Sequence, residues 1–129
     1  NAHALGVFLV DEAEMARTNW EHLRHEGATD VITLDFGGQA GGAPRPGPLL
    51  GEIFICPVVA EVFAREHGTT WSEEVARYLI HGILHLRGYD DRNATRRKRM
   101  KREEERLVRA AAACFPLSRL AKGSRVVGR

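Results

Sequence analysis

Apolar residues in this chain fall into short runs and longer stripes with two different spacings. Leu5–Val10 (LGVFLV), Asp30–Phe36 (DVITLDF) and Leu50–Cys56 (LGEIFIC) are short and rich in β-branched and aromatic side chains, so each predicts a strand. The first is apolar at nearly every place and predicts a buried one. Helical periodicity fills the rest. Asp11 is placed to cap a helix over about Glu12–His25, which Gly27 breaks. Pro57 suits the first turn of a helix reaching about His67, where Gly68 can end it. Ser72 is an N-cap candidate for a helix that is apolar on almost every side from Val75 to Leu86, which predicts a central, buried element. After Gly88 and the turn GYDD, a last helix starts near Asn93 or Thr95 and runs to about Ala113, with Met100, Leu107, Val108 and Ala111 on one stripe.

Strands interleaved with helices in this order predict an α/β (α+β) layer structure, a small mixed sheet packed with helices. One domain is expected over residues 1–113, and 114–129 read as a basic, flexible tail. The connection GGQAGGAPRPGP is too poor in side chains to pack and is expected to be mobile. The length of 129 residues with 43% hydrophobic content suits one compact core. No apolar run approaches the roughly 18 residues of a membrane span, and the start NAHALGVFLV lacks the basic segment of a signal peptide, so a cytoplasmic protein is expected. A start at Asn1 rather than Met suggests a further N-terminal element. Cys56 and Cys114 form no C-x-x-C pair and are expected to be free thiols.

Charge changes the picture more than composition does. Residues 1–91 carry 6 Lys and Arg against 14 Asp and Glu, a net of −8, whereas residues 92–129 carry 13 against 3, a net of +10. Such asymmetry suggests a polyanionic partner, of which nucleic acid is the commonest, with Arg96, Arg97, Arg99 and Arg102 as candidate RNA contacts. A solvated helix with a frayed basic end is the plainer reading of the same run.

The candidate chemistry lies in HGILHLRGYDD. His81 and His85 are four residues apart, so on a helix both imidazoles share a face and can reach one ion. Gly88 permits a sharp reversal that brings Asp91 back as a third ligand. Two imidazoles within a near-continuous apolar helix would each need a buried partner, and one metal ion satisfies both. Three protein ligands leave an open position for water, as catalytic zinc sites do. The string H-x-x-x-H-x-x-G-x-x-D has the ligand spacing of the metzincin proteases, except that Gly82 stands where their catalytic Glu would be. His3, His22 and His67 read as ordinary structural histidines. A carboxylate among the ligands makes zinc a weaker Lewis acid and admits another, harder divalent ion.

Read beside TDVITLDF and GEIFI, this string resembles the YbeY family of bacterial rRNA maturation factors and endoribonucleases, over about Leu5 to Ala113. HGILHLRGYDD agrees with the family signature H-G-x-L-H-L-x-G-Y-D-H at ten of eleven places, counting the x positions as free. His81, His85 and Asp91 fall on the zinc-ligand positions, with Asp91 in place of the third histidine. The resemblance implies a single-strand-specific, metal-dependent endoribonuclease, a hydrolase of ester bonds, that matures the 3′ end of small-subunit (16S) ribosomal RNA and serves ribosome quality control, with one Zn2+ and with ribosomal RNA and the small subunit as partners. It also implies a strand and helix before Leu5, and an RNA-contacting Arg before the T-D-V strand. The ungapped position for that Arg holds Leu23, so Arg24 or His25 would substitute. Gly82 removes the obvious general base, leaving His25, Glu52 or metal-activated water as candidates; Arg24 and Arg87 are candidate phosphate contacts. A metalloprotease and a non-catalytic ribosome-binding factor with a structural metal are the competing readings.

Overall fold

The structure, a computed structural model, describes residues 2–37, 44 and 46–117. Its three strands are β1 (Ala4–Leu9), β2 (Val31–Asp35) and β3 (Leu50–Ile55); its four helices are α1 (Glu12–Leu23), α2 (Pro57–His67), α3 (Trp71–Leu86) and α4 (Ala94–Cys114). The sheet is mixed, in the order β1-β3-β2, with β1 parallel and β2 antiparallel to β3. The α+β expectation holds.

Strand alternation assigns the two faces. Thr33 pairs with Ile53 and Val31 with Ile55, so these four side chains share one face. There Ile53 and Ile55 pack with Ala60 of α2 and with Val75, Tyr78 and Leu86 of α3. The opposite face carries Ile32 and Phe54, packed with Met15 of α1 and Cys56. α3 touches β2, β3, α2 and α4, which makes it the central helix expected.

Several expectations need correction. The apolar run of β1 is not buried: Val7, Phe8 and Leu9 are 44%, 41% and 59% exposed, and β1 is an edge strand paired with β3 alone among the described residues. α1 ends at Leu23 rather than His25. Arg24 there adopts a left-handed conformation (φ 56°), and its N–H donates to Trp20 O at 3.1 Å, so the stop precedes Gly27. α3 is capped by Thr70, whose Oγ1 accepts from the Glu73 N–H at 3.2 Å, while Ser72 lies buried one residue inside the helix. α4 begins after Asn93, which caps the Arg96 N–H at 2.9 Å. Met100 and Val108 are buried as expected, but the residue between them on the stripe is Glu104. Cys56 and Cys114 are free, the first buried and the second exposed. Most of the Gly/Pro-rich connection and residues 118–129 of the expected tail lie outside the described residues.

Candidate metal centre

One turn of α3 sets His81 above His85, and their Nε2 atoms stand 3.1 Å apart. Their other nitrogens are already committed. Nδ1 of His81 meets Oε1 of Glu104 at 2.8 Å, and Nδ1 of His85 meets the Tyr89 carbonyl at 3.2 Å. A carboxylate and a carbonyl only accept, so both Nδ1 atoms carry hydrogen and, in neutral rings, both Nε2 atoms are bare. Two bare lone pairs at 3.1 Å repel one another unless a cation lies between them.

Gly88, at φ 101°, makes the reversal after α3, where the N–H groups of Gly88 and Tyr89 donate to His85 O and Leu84 O at 3.0 Å. The chain then returns, and a carboxylate oxygen of Asp91 completes a triad whose ligand atoms all lie within 4.8 Å of one another. Zinc ligands about 2.0 Å from the ion in tetrahedral array stand about 3.3 Å apart, so the histidine spacing fits a shared ion without rearrangement. The returning loop is braced by α4. Asp90, nearly buried, accepts from the Arg92 N–H at 3.1 Å and the Arg96 guanidinium at 2.9 Å, contacts that hold its carboxyl below the usual carboxylate range; Arg97 donates to the Asp91 carbonyl at 3.1 Å.

Titration favours the ligating forms. Burial, and then the charge of His81, push His85 below the ordinary imidazole value, outweighing the opposing pull of Asp91. Glu104 is only 3% exposed; burial raises its carboxyl, but the hydrogen bond from His81 and the ammonium of Lys101 bring it below the usual value. Its Oε2 meets Lys101 Nζ at 3.2 Å and the Arg77 guanidinium at 3.6 Å, and Arg77 continues the network to Glu74 at 3.5 Å and to Glu105.

One cleft, toward β2, reaches both histidines and is lined by Leu23, Val31, Ile32, Thr33 and Asp35. Another, toward α4, reaches His81 and is lined by Asp91, Arg97, Lys98, Met100, Lys101 and Glu104, and a third reaches His81 from the side of Arg77 and Tyr78. The sequence-derived candidates divide accordingly. His81, His85 and Asp91 come together. Glu52 does not join them: it pairs with Leu34 and Gly6, one place from Ile53, and so projects from the far face of the sheet. Neither Arg24 nor His25 lines any of these clefts. The Arg24 guanidinium lies over the Trp20 ring, 5.6 Å from its centroid, and Leu23 occupies the cleft wall instead. Arg87 donates to the Gly47 carbonyl, which ties the end of the Gly/Pro-rich connection to α3. Arg99 sits over the Tyr89 ring at 5.6 Å. Arg102 is exposed with no polar partner among the described residues. Gly82 has no room for a side chain: a Cβ there would come 2.8 Å from Ile53 Cδ1. Sequence reasoning missed Glu104, Thr33 and the bracing by Asp90; the helical period joining Met100, Glu104 and Val108 is the one signal that marks Glu104.

A central helix offering two imidazoles, joined by a carboxylate from the following turn and steadied by a buried Glu, is a group that could hold one metal ion in a protein of α+β architecture. The sequence model described as "Endoribonuclease YbeY" matches residues 1–112, and the chain belongs to the YbeY family. Relatives named Endoribonuclease YbeY include one from Arthrobacter sp., 39% identical over 99 residues (74% of this chain, 63% of that protein). Another, from Myxococcus xanthus, is 39% identical over 104 residues (81% and 35%), and one from Alkalilimnicola ehrlichii is 34% identical over 113 residues (88% and 68%). The chain thus spans about a third to two thirds of the length of the curated relatives it matches. A solution structure of a Thermotoga maritima protein superposes with a TM-score of 0.62 at 30% identity, covering 98% of this chain and 79% of that one.

Proposed function

We propose that this chain is a metal-dependent endoribonuclease that cuts single-stranded RNA, with small-subunit ribosomal RNA near its 3′ end as substrate and ribosome quality control as its setting. The name carried by its relatives supports RNA as the substrate class. The observation that carries the metal is the pair of Nε2 atoms 3.1 Å apart, each on a ring whose Nδ1 meets an acceptor oxygen. The ion in this reading is one Zn2+, with Mn2+ or another harder divalent ion admitted by the carboxylate of Asp91. No described helix is long and apolar enough to cross a membrane, which is compatible with work on ribosomes in the cytoplasm.

When bound, the cation supplies Lewis acidity toward a phosphoryl oxygen and lowers the pKa of coordinated water. The chain's own residues do the rest. Glu104 and the Tyr89 carbonyl fix the tautomers of His81 and His85, and Asp91 adds a negative ligand. Leu23 and Val31 give one cleft an apolar wall beside the reacting groups, while the cations of α4 offset phosphate charge. Arg24 and His25, on the exposed end of α1, meet RNA outside the clefts, and Glu52 takes no part. A metalloprotease would need a carboxylate beside His81, and Ile53 fills that space.

The test pairs elemental analysis of purified protein with cleavage of end-labelled single-stranded RNA by wild type and His85→Ala of matched folding. Cleavage and a stoichiometric ion in wild type, both lost in the variant, are expected. Equal residual cleavage by both would reject the enzyme reading in favour of a metal that only staples α3 to its turn.

A further inference from the structure

The basic residues of α4 are not interchangeable. Arg96 is committed to Asp90, Arg99 to the ring of Tyr89, and Arg106 to Glu103 at 2.8 Å. Arg97, Lys98 and Lys101 instead line the cleft that His81 and Asp91 share with α4. It encloses about 430 Å³, within the roughly 300–1,000 Å³ of small-molecule sites. Arg97 and Lys101 are held by the frame, the first on the Asp91 carbonyl and the second on Glu104. Lys98 is exposed and makes no hydrogen bond or ion pair with any described residue.

The α4 and β2 clefts differ in charge. Around the α4 cleft three cations face the two carboxylates of Asp91 and Glu104, a net of +1 before any metal binds. Among the described residues the β2 cleft is lined by no Lys or Arg; Leu23, Val31, Ile32 and Thr33 give it apolar and hydroxyl walls. A polyanion laid across the histidine pair places phosphate at α4, while β2 offers surface suited to a sugar or base.

We propose that the α4 cleft is the phosphate seat of this site, where Lys98 and Lys101 contact the non-bridging oxygens of two successive backbone phosphates of single-stranded RNA, one each, beside the scissile one. The RNA then crosses the histidine pair from the β2 cleft to the α4 cleft. This rests on the nuclease reading and adds the course of the strand over the site.

Lys98 carries the test, because Lys101 also braces Glu104. Binding of a fluorescent single-stranded oligoribonucleotide to the metal-loaded protein is measured by anisotropy over a salt series, in the cold and over times at which a gel shows the probe intact. Each phosphate contact on a single strand contributes about 0.7 to the slope of log K against log salt. Lys98→Ala should lower the slope by about 0.7, and Lys98→Ala with Lys101→Ala by about 1.4. Arg109→Ala removes the same charge about 16 Å further along the helix axis and should leave the slope as in wild type. An equal fall in Lys98→Ala and Arg109→Ala would show diffuse attraction and overturn the seat. An unchanged slope in Lys98→Ala, with wild type binding RNA, overturns the seat alone. No binding by wild type rejects the seat and the nuclease reading together.

Discussion

Replacing Glu104 tests whether a residue that never touches the ion governs how tightly it is held. Its Oε1 accepts from His81 Nδ1 at 2.8 Å, which turns Nε2 toward His85 and makes the ring a stronger donor. Loss of such a partner typically costs 10–100-fold in metal affinity, about 1.4–2.7 kcal/mol. Glu104→Gln keeps an oxygen for the hydrogen bond but loses the charge, so a fall near tenfold is expected; Glu104→Ala loses both and should approach a hundredfold. Breaking one partner of a buried ion pair costs about 3–5 kcal/mol of stability. Here the cost should lie at the low end, since Arg77 keeps Glu73, Glu74 and Glu105 and Lys101 reaches solvent. Competition against a chromophoric chelator gives the affinity, and urea unfolding of the metal-free protein gives the stability. Glu104→Ala that folds and binds zinc within twofold of wild type would refute the reasoning, because His81 would then need no external orientation.

Gly82→Ala forces a methyl against Ile53 and should destabilise by about 1–3 kcal/mol, read from the urea midpoint; a neutral result would mean that the helix and sheet are less closely packed than described. The depressed His85 value gives the metal-free protein a pH signature. Below its ordinary value of 6.5 the unfolded chain takes up a proton that the folded state refuses, so stability should be level above pH 6.5 and fall as pH drops from 6.5 toward the native value. Urea titrations at pH 7.5 and 5.5 measure it, and equal stability at both would contradict a buried neutral imidazole.

The grouping of His81, His85 and Asp91 was legible because its geometry is local: a four-residue helical step and a glycine reversal are written into consecutive positions. Glu104 was not, since it lies in a run of three glutamates on a basic helix, and only the packing of α4 against α3 separates it from its exposed neighbours. The exposure of β1 escaped for a different reason. An apolar run looks the same at the centre of a sheet and at its edge, and strand order is set by the whole topology. Glu52 illustrates the limit of spacing: its strand was anticipated, yet which face it joined depended on register with Gly6 and Leu34. The tasks of Arg96 and Arg97 likewise belong to tertiary contacts, since charge alone made them look available to a ligand.

Among the described residues, every group of the proposed metal site comes from one helical hairpin, α3, its turn and α4, between Arg77 and Glu104. The sheet supplies a floor and no ligand. The three ligands lie within eleven consecutive residues, so gathering them costs about 1.4 kcal/mol less in loop entropy than pairing β1 to β3 across some forty intervening residues. The cation can therefore be captured by a nascent hairpin before the strands have found one another, which would make metal availability a determinant of how quickly newly made chains mature as well as of what the mature ones do.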